Sequence, residues 1–470
     1  MSATRRLSAY VASLSYDDLP TEAIAKAKDC LLDYIAYTSF GCDEDPAHIL
    51  GIAFREMGGR EECTVIGQDW RLPAINAAFL NGATGHMTEL DDTHRGTGSH
   101  PGDSILPAAL AMAEVQHASG KDLIAAIVSG YEADIRVGEA VMPGHYSKGW
   151  HVSGTINTFG AAVAAGKLLN LDATAMTHNM GIASGQAAGN FAHVKERGMM
   201  KDFNPGRAAS NGVFSAILAQ KGFTGATGAL EHPKGFCALY SDTVDLDKLT
   251  KDFGDSFRIL EVGHKPFPGC RHIHPARDAL LSILSEQGPL SPDQVHKITA
   301  RLLSIIASEM DDYEPWAPGK GIYGPTFSTQ FNLALAFLEG EKGLRRWLKD
   351  NTYGLEKAKD PAMHRLMEKI EVVPDEEMTK AWPFTWSSVL TLETSKGTFN
   401  KRIDYPKGEP ENPLSGRELW DKFTLLTTAR AYTLEQSRRI GEAVEGLESI
   451  EDVAQITGLL TPSRELTGQN

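Results

Sequence analysis

Apolar residues recur at helical spacing through the first two-thirds of the chain. In LPTEAIAKAKDCLLDYIAYTSFG, Ile24, Ala27, Leu31 and Ile35 fall on one stripe, Pro20 offers a first helical residue and Gly41 a stop. LPAALAMAEVQHASG predicts a helix that begins at Pro107 and ends near Gly120. KDLIAAIVSGYEADIRVGEAV places Ile124, Ile127, Tyr131 and Ile135 on one face. TFGAAVAAGKLLNLD and AASNGVFSAILAQKG are rich in Ala and Gly. Small residues let helices approach closely, so these two segments are expected at the centre of the packing. The period changes after Pro266. HKITARLLSII and KIEVVPD read as strands, and SSVLTLETSKGTFNKRIDYP as a hairpin turning at Lys396–Gly397. Helical stretches such as FSTQFNLALAFLEG lie between them, and helical periodicity returns from Arg417 onward. The pattern predicts a mainly α protein with an α+β part. A large all-helical domain is built from both chain ends, residues 1–266 and 406–470, and an α+β domain, residues 267–405, is inserted between them.

A chain of 470 residues exceeds one ordinary core, in keeping with two domains. No apolar run reaches the ~18–20 residues of a membrane span. The first residues, MSATRRLSAYVASLSYDD, lack a secretory apolar core, so the expected setting is cytoplasmic. Lys plus Arg number 46 against 61 Asp plus Glu, a formal charge of −15. Such a surface repels nucleic acid. It repels an anionic metabolite as well, so an acidic substrate needs a local basic pocket. The five cysteines form no C-x-x-C pair, which argues against a disulfide framework, a zinc site or an iron–sulfur cluster. Neither a phosphate loop nor a strand-borne G-x-G-x-x-G is present.

Four stretches gather ionisable residues around glycine or proline. TELDDTHRGTGSHPGDSILPAALAMAE holds Glu89, Asp91, Asp92, His94, Arg95 and His100 ahead of an apolar helix. KGWHVSGTINTFGAA carries His151, and HVKERGMMKDFNPGRAASNG carries Lys201 and Arg207. GHKPFPGCRHIHPARDA crowds His264, Lys265, Arg271, His272, His274 and Arg277 at the expected domain boundary. Each is a polar turn feeding a helix N-terminus, where unpaired N–H groups and a partial positive charge favour anions. Singly, each residue has a plain structural role: a turn histidine as a satisfied polar group, Asp91 and Asp92 as helix caps, Lys201 as a solvated side chain. Asp and His together also suit a metal, but neither HExxH nor a paired Cys/His spacing accompanies them, so no metal is expected.

At these four places the sequence resembles the MmgE/PrpD family, which includes 2-methylcitrate dehydratase, cis-aconitate decarboxylase and iminodisuccinate epimerase. The motifs that carry the resemblance are ELDDTHRGTGSHPGDSILPA, GWHVSGTINTFGAAVAAGKLL, GMMKDFNPGRAASNG with LAQKGFTG, and KPFPGCRHIHPARDA, in the family's order from Glu89 to Asp278. The resemblance implies a helical domain with an inserted α+β lid, a homodimer and a site between the domains. It also implies a pocket lined by Glu89, Thr93, His100, His151, Lys201 and His274. The sequence suggests no organic cofactor. Glu89 stands where an aspartate is usual, and Asp202 where many relatives carry a non-acidic residue. His100 is preferred to His94 because it directly precedes Pro101–Gly102.

The family reactions share proton transfer at a carbon beside a carboxylate. That step needs an acid or base near neutrality and fixed positive charge for the developing anion. His100 is the expected proton carrier, oriented by Asp91 or Glu89, with His151 as a second acid/base. Lys201 and His274 are expected to hold the carboxylates of a small di- or tricarboxylate. Arg207, Lys265, Arg271 and His94 are further binding candidates. A hydro-lyase, a decarboxylase and an epimerase all remain compatible with these residues. A non-catalytic metabolite-binding protein is the reading from another class.

Overall fold

The computed structural model describes residues 1–196 and 198–462, the side chains of Val194 and Lys195 excepted. The molecule is mainly helical, with one four-stranded sheet and two short two-stranded ones among the described residues. No described helix is long and apolar enough to cross a membrane. In the large sheet the order is Ile370–Asp375, Val295–Leu303, Ser388–Thr394, Gly397–Ile403. The first pair is parallel and the other two are antiparallel. The Ser388–Thr394 strand alternates buried and half-buried positions along its length, the mark of one face turned to a core.

Buried apolar side chains gather into two large clusters. One joins the N-terminal helices to the C-terminal ones, so that Leu31 and Ile35 share a core with Phe423, Leu426 and Ile440. The Gly416–Arg430 helix brings this about by packing on Thr21–Gly41. The other cluster runs from Ile273 to Leu392 and contains the sheet strands, the His274–Gln287 helix and the Thr329–Lys349 helix.

The Ala- and Gly-rich segments form the helical centre. The Met200–Gln220 helix packs against both Ala74–His86 and Asn157–Leu168. Glycine is what permits this approach: a Cβ at Gly206 would lie 2.4 Å from the carbonyl oxygen of Phe79. Likewise a Cβ at Gly82 would meet the carbonyl oxygen of Asp103 at 2.5 Å.

Three expected boundaries differ from the structure. Pro20 is the N-cap of Thr21–Gly41 rather than its first residue. The helix expected from Pro107 begins at Gly102 and carries Pro107 inside it. Its start is fixed by the Asp92 carboxylate, which accepts the Gly102 N–H at 2.9 Å. The strand expected to run to Ile306 ends at Leu303, and Ser304–Met310 is helical, capped where Ser304 N–H donates to Thr379 Oγ1.

Gly206→Val should force the Met200–Gln220 helix away from Ala74–His86. Overpacking of this kind costs about 1–3 kcal/mol, and a fall of that size in denaturant-unfolding stability is the expected result. An unchanged midpoint would show that the two helices do not need this contact.

Candidate active site

Three groups converge because the Ala74–His86 helix ends in a buried histidine and the chain then turns sharply. His86 closes the helix, Glu89 takes a left-handed backbone (φ 54°), Leu90 enters the core, and Asp91 points back toward His86. Lys201 comes from the first turn of Met200–Gln220 and Lys265 from the chain that follows the Val262–Gly263 strand. That strand pairs with Thr93–His94, which ties the two stretches together.

The result is a buried set of alternating charge. Lys265 Nζ lies 3.0 Å from Glu89 Oε2 and 2.7 Å from Asp91 Oδ1. Lys201 Nζ lies 2.5 Å from Glu89 Oε1 and donates to His86 Nε2 at 2.6 Å. An ammonium group only donates, so His86 Nε2 accepts and its Nδ1 carries the hydrogen. That hydrogen faces Asp91 Oδ2 at 2.7 Å and Asp103 Oδ2 at 2.8 Å. Burial, reinforced by Lys201, lowers the His86 pKa to about 3 despite Asp91, so the ring is neutral. Burial would raise Glu89, but Lys201 and Lys265 outweigh it and hold the carboxyl down to about 2. Asp91 is likewise kept well below the usual carboxylate range against its burial, by His100, Lys265 and His86. Asp103 goes the other way: burial and the adjacent Asp91 push it far up, so it keeps its proton.

His100 and His151 complete the arrangement with opposite tautomers. His100 Nδ1 lies 2.7 Å from the Asp92 carbonyl oxygen and 2.8 Å from Asp91 Oδ2. Both are acceptors, so Nδ1 carries the hydrogen and Nε2 holds the lone pair. The Thr93 hydroxyl stands 3.4 Å from the same Nδ1. His151 Nδ1 accepts from the Asn204 amide at 2.8 Å, which leaves the hydrogen on Nε2. Burial, with the neighbouring His86 and His193, holds His151 well below its ordinary value. The rings of His86 and His100 have centroids 5.0 Å apart, and those of His86 and His151 are 5.9 Å apart.

These groups line one cleft. From the helical side come His86, Glu89, His100, His151 and Lys201. The opposite wall is supplied by Cys270, Arg271, His272, Met310, Phe327 and Trp386. Phe327 lies under Lys201, with Nζ 5.9 Å from the ring centroid. His272 stacks on Trp386 at 3.9 Å.

Of the residues expected from the sequence, Glu89, His100, His151, Lys201 and Arg271 line this cleft, with Asp91 and Thr93 directly behind His100. Four others lie elsewhere. Both His274 ring nitrogens are used within the protein: Nδ1 accepts from Arg271 Nη1 at 2.9 Å, and Nε2 faces the Gly269 carbonyl at 3.2 Å. It therefore braces Arg271 from behind the cleft wall. Lys265 is fully buried behind the two acids. His94 bonds Thr97 at 3.0 Å and Glu261 at 3.2 Å, at the edge of a different cleft. Arg207 is exposed, one helical turn and a half beyond Lys201 and so on another face. The anion cradle expected at the Gly102–Gln116 N-terminus is already filled by Asp92.

Sequence reasoning passed over His86 and Asp103, and named His272 without giving it a role. His86 sits alone at the end of an Ala- and Gly-rich helix, and its signal was only its place three residues before Glu89. His86, Asp91 and His100 also bring three potential metal-ligand atoms within 4.8 Å of one another. Yet Asp91 Oδ2 already accepts directly from both rings, and the Lys265 ammonium occupies its other oxygen, a poor neighbour for a second cation.

Burial lowers His272 to about 3, with His100 and Lys265 adding to the effect. The unfolded chain binds a proton there near pH ~6.5, so stability is lost as pH falls below that point. His272→Phe keeps the stack on Trp386 and removes this loss. Between pH 7 and pH 5 the variant should lose about 1–2 kcal/mol less stability than the parent, read by urea unfolding; equal losses would mean that His272 protonates in the folded state.

Residues 5–248 match the MmgE/PrpD N-terminal domain, and residues 267–449 match the MmgE/PrpD C-terminal domain. The chain is 26% identical over 476 residues to a cis-aconitate decarboxylase-like protein of Aspergillus oryzae, covering 97% of each chain. It is 25% identical to a cis-aconitate decarboxylase of Aspergillus terreus, over 97% of this chain and 95% of the relative. The Homo sapiens cis-aconitate decarboxylase is also 25% identical, over 98% of this chain and 94% of the relative. With both domains matched in order, the chain belongs to the MmgE/PrpD family.

Proposed function

We propose that the protein is a cofactor-independent lyase acting on a small di- or tricarboxylic acid, and that its reaction is decarboxylation of cis-aconitate or a close analogue. The observation that carries this reading is the pairing of opposite tautomers beside an ammonium group. His100 presents a lone pair on Nε2, His151 presents an N–H, and Lys201 lies in the same cleft. The names of the full-length relatives point to the same reaction class.

In this reading Lys201 holds a carboxylate of the substrate, while the Arg271 guanidinium is committed to Glu409, His274 and the Lys407 carbonyl. The bond between the methylene carbon and its carboxylate breaks, and CO2 leaves. The electron pair shifts through the adjacent double bond to the carbon beside the remaining terminal carboxylate. His100, in its protonated form, gives the Nε2 proton to that carbon and is recharged from water, while Asp91 stabilises the imidazolium. The trianion and one proton thus become an unsaturated dianion and CO2. His151 N–H and the Lys201 ammonium stabilise the negative charge as it spreads onto the carboxylate. The donor on His151 also favours a second reading: it would protonate a departing hydroxyl if the substrate were a hydroxy acid.

Proton NMR in D2O with cis-aconitate, citrate, 2-methylcitrate and iminodisuccinate separates the reactions. The expected outcome is consumption of cis-aconitate with one deuterium at the newly saturated carbon. Water loss from a hydroxy acid would replace decarboxylation by dehydration, hydrogen exchange in iminodisuccinate alone would make the protein an epimerase, and binding without turnover would leave a non-catalytic metabolite-binding protein. On the active substrate, His100→Gln should lower kcat by about 10²–10⁴-fold with KM little changed. Lys201→Met should raise KM by roughly 10–100-fold, the value of a lost charged hydrogen bond; a KM near that of the parent would remove Lys201 from carboxylate binding.

A further inference from the structure

The two ionised acids of the site are presented by one tripeptide, Glu89–Leu90–Asp91. Its first residue is held in the left-handed region, which an L residue with a long side chain keeps only when its surroundings enforce it. Lys265 grips the two acidic side chains from one side. The carbonyl between them is gripped from another. Lys422 Nζ donates to the Leu90 oxygen at 2.9 Å, from a point 332 residues further along the chain. The same ammonium lies 2.7 Å from Asp33 Oδ1, both side chains being almost completely buried. Asp33 uses its other oxygen to accept from His264 Nδ1 at 3.1 Å, and His264 Nε2 accepts from Lys26 at 3.0 Å. His264 directly precedes Lys265. The two lysines that clamp the tripeptide are therefore linked to each other through Asp33 and one peptide bond. Neither Asp33 nor Lys422 lines the catalytic cleft.

A buried ion pair is weak support for stability, because desolvation offsets much of the attraction. Its use here is better sought in geometry. We propose that Lys422, paired with Asp33, is a positioning residue for the reaction: it fixes the Leu90 carbonyl and so sets Glu89 against Lys201 and Asp91 against His100. This rests on the reading of His100 as the proton carrier. It makes the C-terminal helices, which contribute nothing to the cleft wall, part of the catalytic apparatus.

The test uses the full chain and needs no substrate. Histidine ring NMR at one fixed pH follows the Nδ1–H proton of His100, identified by the resonance that His100→Gln removes. The groups facing that ring are Asp91, the Asp92 carbonyl, Thr93 and His86, with His151 and His272 close by. Lys422→Met and Asp33→Asn should each move this resonance upfield, as the charge-assisted hydrogen bond to the displaced Asp91 carboxylate lengthens. The ring resonances of exposed His117 should match the parent. Lys422→Arg should restore much of the shift. Where an active substrate is in hand, kcat should fall roughly 10–100-fold with KM within about threefold, the pattern of misplaced catalytic groups. An unmoved His100 Nδ1–H resonance in folded Lys422→Met overturns the proposal. Should that variant not fold, the same result in the nearly isosteric Asp33→Asn overturns it. Silence of the parent toward every substrate, with the resonance shift present, would count against the proposed reaction and leave the positioning role standing.

Discussion

Two carboxylates and two ammonium groups, Glu89, Asp91, Lys201 and Lys265, are taken out of water together, and the site depends on their cancelling one another. An isolated buried charge is costly enough to change its protonation state. Here each acid touches a lysine at hydrogen-bond distance, so both stay ionised. The surplus carboxyl, Asp103, has no such partner and keeps its proton. The same balance fixes the histidines. With Lys201 on one nitrogen and Asp91 on the other, His86 has a single tautomer and stays neutral, and Asp91 in turn orients His100.

Such a set needs rigid support, because a lysine moved out of hydrogen-bond reach would leave a charge unpaired in low dielectric. The helical centre provides it. Gly206 and Gly82 let the helices that carry Lys201, His86 and Asp103 approach to backbone contact, closer than any side chain would allow. The inserted α+β part then supplies the facing wall with Arg271, His272, Phe327 and Trp386.

Much of the architecture was legible in the sequence, since periodicity is a local property. The helical stripe of Ile24, Ala27, Leu31 and Ile35, the Lys396–Gly397 hairpin and the change of period after Pro266 each follow from side chains a few residues apart. Part of the site was legible for the same reason: His100, Asp91 and Glu89 share one short turn, so their convergence needs no long-range information. His86 was missed because it closes an Ala- and Gly-rich helix, and its partner Lys201 lies 115 residues away. His274 was misplaced for the opposite reason. Its motif is right, but a 3-10 turn at Arg271–Ile273 sends Arg271 to the cleft and leaves His274 bracing it from behind.

The sequence by itself determined the mainly α class, the inserted α+β element, the acidic surface and the four polar turns from which the site is drawn. Only the tertiary structure decided which atoms of those turns meet. Ionisation and tautomer are set by the nearest donor or acceptor and by exclusion of water, and both arise when segments distant in the chain are packed together. Lys422 is the extreme case. In sequence it is one lysine on an amphipathic helix. In the folded protein it is buried beside Asp33 with its ammonium on the carbonyl between Glu89 and Asp91.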